Sequence, residues 1–243
     1  MKILTWNINH RIQPKKIPPH MAEALSSLSP DVVVLTEYIQ GPTHDRFIGD
    51  LKSKGFPYVM LSPFEERRNR ILISSRTPMK AGGIMGPTDI IDAVPFNVLH
   101  VVLEKYGVNI LGLRMPLPMN AGQKKAWWDW LITTAQEHKD LPFVITGDFN
   151  TDPEKSKGSN GINRFEDFRK NGWTYDLPDT YSWWWNNKDE FGWKLDHTLL
   201  TSKHFSEPRS AYLTESGPYV FARRKPEAMS DHAVLVVDAE FRN

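Results

Sequence analysis

The 243-residue chain carries 30 Lys and Arg against 29 Asp and Glu, and a formal net charge of +1 neither demands nor forbids an anionic partner. With 40% hydrophobic and 24% charged residues it has the composition of a globular protein with ample core, and no apolar run approaches the roughly 20 residues that span a bilayer. The absence of cysteine excludes disulfides, thiolate nucleophiles and cysteine-ligated zinc or iron–sulfur centres. The opening "MKILTWNINHR" turns polar too early for a secretory signal, so a cytoplasmic, monomeric protein is the expectation.

In chain order, "KILTWNI" (2–8) reads as a first strand, and "IPPHMAEALSSLSP" as a short helix with Met21, Leu25 and Leu28 on one face between prolines. "DVVVLTEY" (31–38) is apolar throughout and too short for a helix, which suits a strand buried on both faces. A helix over 43–55 follows, with Thr43 as N-cap and Gly55 as stop. Strands are expected at 58–61, 70–75, 97–104 and 108–115, the last two joined as a hairpin around "KYG" (105–107). The clearest helix is 121–140, with Trp127, Trp130, Leu131 and Thr134 on its stripe. A buried strand "PFVITGDFN", a helix over 161–172 closed by Asn-Gly, and strands in "TYSWWW", 194–201 and 232–241 complete the chain. With no repeat and no linker, one layered α/β domain spanning 1–243 is expected.

Polar groups gather at strand ends. Asn7 lies near the end of the first strand, Glu37 follows "VVVLT", Arg114 closes "NILGL", and Asp148 and Asn150 close "FVITG". Asp196 and His197 begin one late strand, and Asp231 and His232 open the last. Taken singly, each is ordinary turn vocabulary. Taken together, Glu37, Asp148, Asp196 and Asp231 adjoin apolar runs, and unpaired buried carboxylates cost several kcal/mol each. A hard divalent cation would relieve their repulsion, and oxygen ligands suit magnesium, calcium or manganese better than zinc or copper. That chemistry is metal-assisted phosphoryl transfer or hydrolysis. Sequences typical of P-loop nucleotide hydrolysis, dinucleotide binding, serine esterases and zinc proteases are all missing.

"TWNIN", "LTEY", "ITGDFN", "GWKLDHTLLT" and "SDHAVL" resemble, in order, the motifs of the endonuclease/exonuclease/phosphatase superfamily of magnesium-dependent phosphoesterases. The stretch 181–201 is most similar to exonuclease III-type abasic-site DNA endonucleases. The resemblance implies a four-layered α/β sandwich, two mixed, mainly antiparallel sheets face to face with helices outside. It implies Mg2+ as cofactor, with Mn2+ as a substitute, and a nucleic-acid partner, DNA favoured. Carried over by position, Glu37 resembles the main metal ligand, with Asn7 beside it and Asp231 as a further ligand. Asp148 resembles the residue that orients or deprotonates the attacking water, and Asn150 the group that steadies it and the phosphate. His232 resembles the donor to a phosphate oxygen and Asp196 its carboxylate partner.

Three positions depart from the pattern. Asn9 stands where abasic endonucleases often have aspartate, Arg114 where relatives usually have tyrosine or histidine, and His197 where an aromatic is common. An arginine at 114 can clamp a phosphate but cannot donate a proton. Trp193 is expected to line the site, with Trp183 the second candidate and Trp184 facing away from Trp183 and Trp185. Arg70 is the candidate phosphate contact before "ILISSRTP". The basic clusters "RRNR" (67–70), "KK" (124–125) and "RRK" (223–225) read as solvated faces first. A phosphoinositide, sphingomyelin, an RNA end or a protein–nucleic acid adduct remain open as substrates, as does a non-catalytic binding protein on this fold.

Overall fold

The computed structural model describes residues 1–9, 16–92, 94–155, 162–184, 191–222 and 227–242; Trp185 and the "RRK" cluster lie outside the described residues. The elements begin with β1 (Lys2–Asn7), α1 (Met21–Ser27), β2 (Val32–Tyr38), α2 (His44–Ser53), β3 (Tyr58–Leu61), β4 (Arg70–Ser75) and β5 (Met79–Ala81). A turn of 3-10 helix at Pro95–Asn97 precedes β6 (Val98–Leu103), β7 (Val108–Arg114), α3 (Ala121–His138), β8 (Phe143–Asp148) and α4 (Ile162–Lys170). Then come β9 (Trp173–Thr174), β10 (Trp183–Trp184), β11 (Gly192–Trp193), β12 (Asp196–Thr201), β13 (Arg209–Leu213), β14 (Glu215–Ser216), β15 (Tyr219–Val220) and β16 (Val234–Asp238).

Two six-stranded sheets form, in the orders β13-β16-β1-β2-β4-β3 and β5-β6-β7-β8-β12-β9. Only the central pairs β1–β2 and β7–β8 are parallel; the others within these sheets are antiparallel. Strand alternation sorts the apolar residues into three layers of core. Ile3, Val32, Val34, Ile71, Ile110, Val144 and Leu200 pack between the sheets. The other faces of the same strands, Leu4, Trp6, Val33 and Leu35, meet Met21, Leu25, Phe47 and Leu51 of α1 and α2. Leu111, Phe143, Ile145 and Leu199 meet Trp127, Trp128, Phe165 and Phe168 of α3 and α4. A strand buried on both faces needs a continuous apolar run, which is why "DVVVL" and "FVI" have no polar alternation. The architecture is the expected four-layered sandwich, helix–sheet–sheet–helix.

Several local expectations need correction. The stripe of α3 buries Trp127, Leu131 and Thr134 as expected and Trp128 besides, while Trp130 is half-buried against the same core. Thr43 stands at the N-cap of α2, yet its hydroxyl accepts the Ile17 N–H instead of a helix N–H. The last strand begins at Val234, two residues after His232. "TYSWWW" yields only the short β10, held by β11, and β5, β9 and β13 have no counterpart among the expected strands. Among the described residues no helix is long and apolar enough to cross a membrane.

Candidate active site

The inner face of each central strand loses its apolar character toward one mouth of the sandwich. In β1 the inner series runs Ile3, Thr5, Asn7; in β7 it runs Ile110, Gly112, Arg114; in β8 it runs Val144, Thr146, Asp148. Strand β12 runs the other way, so its inner series Leu200, Thr198, Asp196 reaches the same mouth at its start. Register then fixes the neighbours, with Asp148 paired to Arg114 on one side and Asp196 on the other. All are almost fully buried.

Strict alternation would have sent Glu37 outward with Val33 and Leu35. A bulge prevents this: β2 advances from Leu35 to Tyr38 while its partner β4 advances only from Leu72 to Arg70. Glu37 takes a left-handed backbone, φ 53°. Tyr38 thereby continues the outer face beside Leu35, and Glu37 turns into the mouth. Asn9 and Asn150 are also left-handed, with φ 44° and 47°. Strain of this kind costs roughly 1–2 kcal/mol for a residue such as Glu, less for Asn. Among the described residues, three of the five non-glycine positions with positive φ line this mouth; the other two, Ser29 and Arg67, do not.

The mouth is a cleft of about 340 Å³ lined by Asn7, Asn9, Glu37, Arg114, Asp148, Asn150, Trp183, Trp193, Asp231 and His232, with Leu117 and Leu195. Asp148 is its hub. Its carboxylate accepts from Asn7 Nδ2 at 2.9 Å, from the Asn150 backbone N–H at 2.8 Å and from Asn150 Nδ2 at 3.2 Å. Asn150 Nδ2 also donates to the Met115 carbonyl at 2.7 Å, which fixes its amide plane. Burial and the neighbouring Asp196 charge raise the Asp148 pKa to about 6, against the pull of His232 and Arg114.

His232 Nδ1 lies 2.8 Å from Asp196 Oδ2, and its Nε2 lies 3.5 Å from Asn7 Nδ2, facing the cleft. Burial alone would lower the imidazole pKa. The adjoining Asp196 carboxylate, with Asp148 and Asp231, more than reverses this and lifts it to about 10. Across from Asp148, Arg114 Nη2 meets Glu37 Oε1 at 2.5 Å, and Arg114 Nε stands 3.8 Å from Asp148 Oδ2. Asp231 Oδ2 accepts from Trp183 Nε1 at 3.2 Å.

Two of the candidate positions sit elsewhere. Arg70 does not line the cleft; its guanidinium is buried against the Ser62 carbonyl and Gln40 Oε1, with Phe64 below it. His197 alternates away from Asp196 toward the helical layer, its ring edge-on to Phe149 and Phe165 and its Nε2 on the Thr151 carbonyl. Burial lowers its pKa, so it is a neutral core histidine. As expected from alternation, Trp183 lines the cleft while Trp184 packs against the inter-sheet core. Asp196 reaches the cleft only through His232.

Sequence reasoning passes over the groups that hold this arrangement. Ser230 Oγ donates to the Asn7 carbonyl and accepts the His232 N–H, and Trp6 Nε1 donates to the His232 carbonyl at 2.7 Å. Ser182 Oγ accepts the N–H of Leu195 and Asp196, and its carbonyl accepts Ala233 N–H. Trp6 lies in "TWNIN", Ser230 in "SDHAVL" and Ser182 in "TYSWWW", so adjacency to a chemically loaded stretch is the signal that could have found them.

For a metal, the donor chemistry fits a hard cation: the Glu37 carboxylate and the carboxamide oxygen of Asn7, which also accepts the Asn9 N–H at 2.9 Å, would hold it. Among the described residues, no group of three His, Asp or Glu side chains converges in the manner of a self-sufficient metal cage.

A sandwich whose inner strand ends present Asp, Asn and a carboxylate-backed His to one cleft defines a phosphoester hydrolase. The endonuclease/exonuclease/phosphatase family model matches residues 4–232, and the chain belongs to that family, whose members generally depend on divalent metals. No curated protein matches it in sequence. Its fold is similar to that of a 3'-5' exonuclease, NExo, from Neisseria meningitidis, with TM-score 0.69, 21% identity and coverage of 99% of this chain and 100% of that one. An AP endonuclease from Archaeoglobus fulgidus superposes with TM-score 0.70 at 15% identity, covering 99% of each chain. Truncated TDP2 from Caenorhabditis elegans does so with TM-score 0.71 at 13% identity, covering 98% of this chain and 96% of that one.

Proposed function

We propose that the chain is a Mg2+-dependent phosphodiesterase, with Mn2+ as a substitute ion, that hydrolyses nucleic-acid phosphodiester bonds, DNA in preference to RNA, and that residues 1–243 form one domain. The supporting observation is the lining of the cleft. Asp148, Asn150, His232 and Arg114 share it with Trp183, whose backbone bridges that of His232, and with Trp193, 37% exposed with Lys155 Nζ 5.4 Å from its ring centre. Aromatic faces beside a cation suit stacked bases and a phosphate backbone, and base–aromatic stacking is worth about 1–3 kcal/mol per base.

In this reading Asp148, whose pKa of about 6 lies near neutral working pH, accepts the water proton as the water oxygen bonds to phosphorus and the leaving oxygen departs in line. Asn150 holds the water and the phosphate. His232, charged through Asp196, donates from Nε2 to a non-bridging oxygen as charge builds there. Arg114 binds a second non-bridging oxygen without giving up a proton. Glu37 and Asn7 would hold a divalent ion, which when bound would supply charge neutralisation to the phosphate.

The test is a panel of abasic duplex, plain duplex, single-stranded DNA, RNA, a tyrosyl–DNA adduct and phospholipid vesicles, each incubated with Mg2+. Nucleic acid is expected to be cut and lipid left intact, with a chelator abolishing cleavage. Asp148→Asn should lower the rate by on the order of 10²–10⁴. Cleavage of lipid alone overturns the substrate, and undiminished activity in Asp148→Asn overturns the site.

A further inference from the structure

The carboxylate best placed for a divalent ion already has a cation on it. Glu37 and Arg114 are each only 5% exposed, and their 2.5 Å contact lies deep in the mouth. Arg114 Nε has no hydrogen-bond partner although it points toward Asp148 Oδ2 at 3.8 Å. One guanidinium thus serves two carboxylates, with one of its N–H groups unspent. The backbone of Arg114 is fixed by its register with Asp148 and by the Met115 N–H on the Asp148 carbonyl. What can change is the direction of the fork at the end of its flexible stem.

We propose that Arg114 is the resident counter-cation of Glu37, that a divalent ion must displace it to load, and that a phosphate group draws it away, so that metal and phosphate bind cooperatively. This rests on the assignment of Glu37 as the metal carboxylate. Arg114 contacts only Oε1 of Glu37, but a divalent ion on Oε2 would still stand within a few ångströms of the guanidinium, and two cations on one carboxylate repel strongly in a low-dielectric cleft. A buried Glu37 stripped of Arg114 is an uncompensated charge, which a metal ion relieves. The displaced guanidinium needs an anion in return, and the two non-bridging oxygens of a phosphate match its fork. Phosphate binding therefore frees Glu37, and by reciprocity metal binding favours phosphate. A tyrosine or histidine at this position would impose no such exchange.

The experiment measures Mn2+ binding by electron paramagnetic resonance without nucleic acid, on the native protein, Arg114→Met and Glu37→Gln. Arg114→Met is expected to bind Mn2+ more tightly, within the roughly 5- to 150-fold range of ordinary site coupling. A phosphorothioate thymidine dinucleotide should tighten Mn2+ binding in the native protein and do so far less in Arg114→Met. A second measurement needs no folded Met variant. The Arg114 guanidinium nitrogen resonances of the native protein, assigned by their loss in Arg114→Lys, should move when Mg2+ is added. Equal or weaker Mn2+ affinity in a folded Arg114→Met, or guanidinium resonances indifferent to Mg2+, overturns the exchange while leaving the metal assignment standing. Mn2+ binding that survives Glu37→Gln unchanged overturns both.

Discussion

Two of the buried ion pairs at the cleft, Asp196–His232 and Glu37–Arg114, are supported differently. In the first, both backbones are clamped: Asp196 by Ser182 Oγ and by the Tyr212 hydroxyl on its carbonyl, His232 by Ser230 Oγ and Trp6 Nε1. In the second, Glu37 rides on a strained bulge and reaches across the sandwich to a long flexible side chain. The contrast teaches a division of labour. The pair that keeps a proton on an imidazole is clamped at both main chains, whereas the pair for which exchange is proposed, though Arg114 is held in its strand, meets at the tip of a flexible stem.

Breaking the fixed pair should have the largest effect. Asp196→Asn keeps the shape but removes the charge that holds His232 protonated. We expect a rate loss on the order of 10²–10⁴, together with an alkaline limit of activity that moves toward neutral pH. Rate against pH for native and variant enzyme checks both; an unmoved alkaline limit would separate Asp196 from the charge state of His232.

The same pair should dominate stability against pH in the presence of chelator. The His232 pKa rises from an ordinary 6.5 to about 10 on folding. Its stabilisation is therefore fully present below about pH 6.5 and disappears as pH climbs through 10, on the order of a few kcal/mol in all. Asp148, raised from 3.8 to about 6, favours the folded state while neutral and loses that contribution between those values as pH rises. Denaturant titrations at intervals from pH 4 to 10 should show both declines; His232→Asn should flatten the upper one and, by removing the pull of the imidazolium on Asp148, move the lower one to higher pH.

Much of this architecture is legible in the amino-acid sequence because the sandwich imposes a period of two on long strands. β3 and β4 have the bounds expected for them, and Asn7, Arg114 and Asp148 at the ends of β1, β7 and β8 do meet in the cleft, with Asp196 of β12 behind His232. Less legible is anything decided by a single residue of phase. The left-handed bulge that turns Glu37 inward leaves no trace in an apolar pattern. Trp128 and Trp130 pack against one core and differ only in depth, and Arg70 carries a charge whose partners, Ser62 and Gln40, come from other segments. The strands β10 and β11 are two residues each and exist through their pairing and the bridge from Trp183 to His232.

Asp152 sharpens the comparison from outside it, as a carboxylate held without any cation. Within "GDFNTD" it reads as a turn residue, yet it is fully buried and accepts the N–H groups of Glu154, Lys155 and Lys194, at 2.9, 3.2 and 3.0 Å. It thereby ties the loop after β8 to the segment that enters β12 at Asp196. Neutral donors on the main chain do here what Arg114 and His232 do in the cleft. Asp152→Asn replaces one acceptor oxygen with a donor, so at least one of these N–H groups loses its partner, at about 1–3 kcal/mol. Thermal unfolding should register that loss. The limbs of the pH–rate profile should stay where they are, because no titrating pair in the cleft contains Asp152; a shifted limb would mean that the loop sets the Asp196–His232 geometry more tightly than Ser182 and Ser230 do.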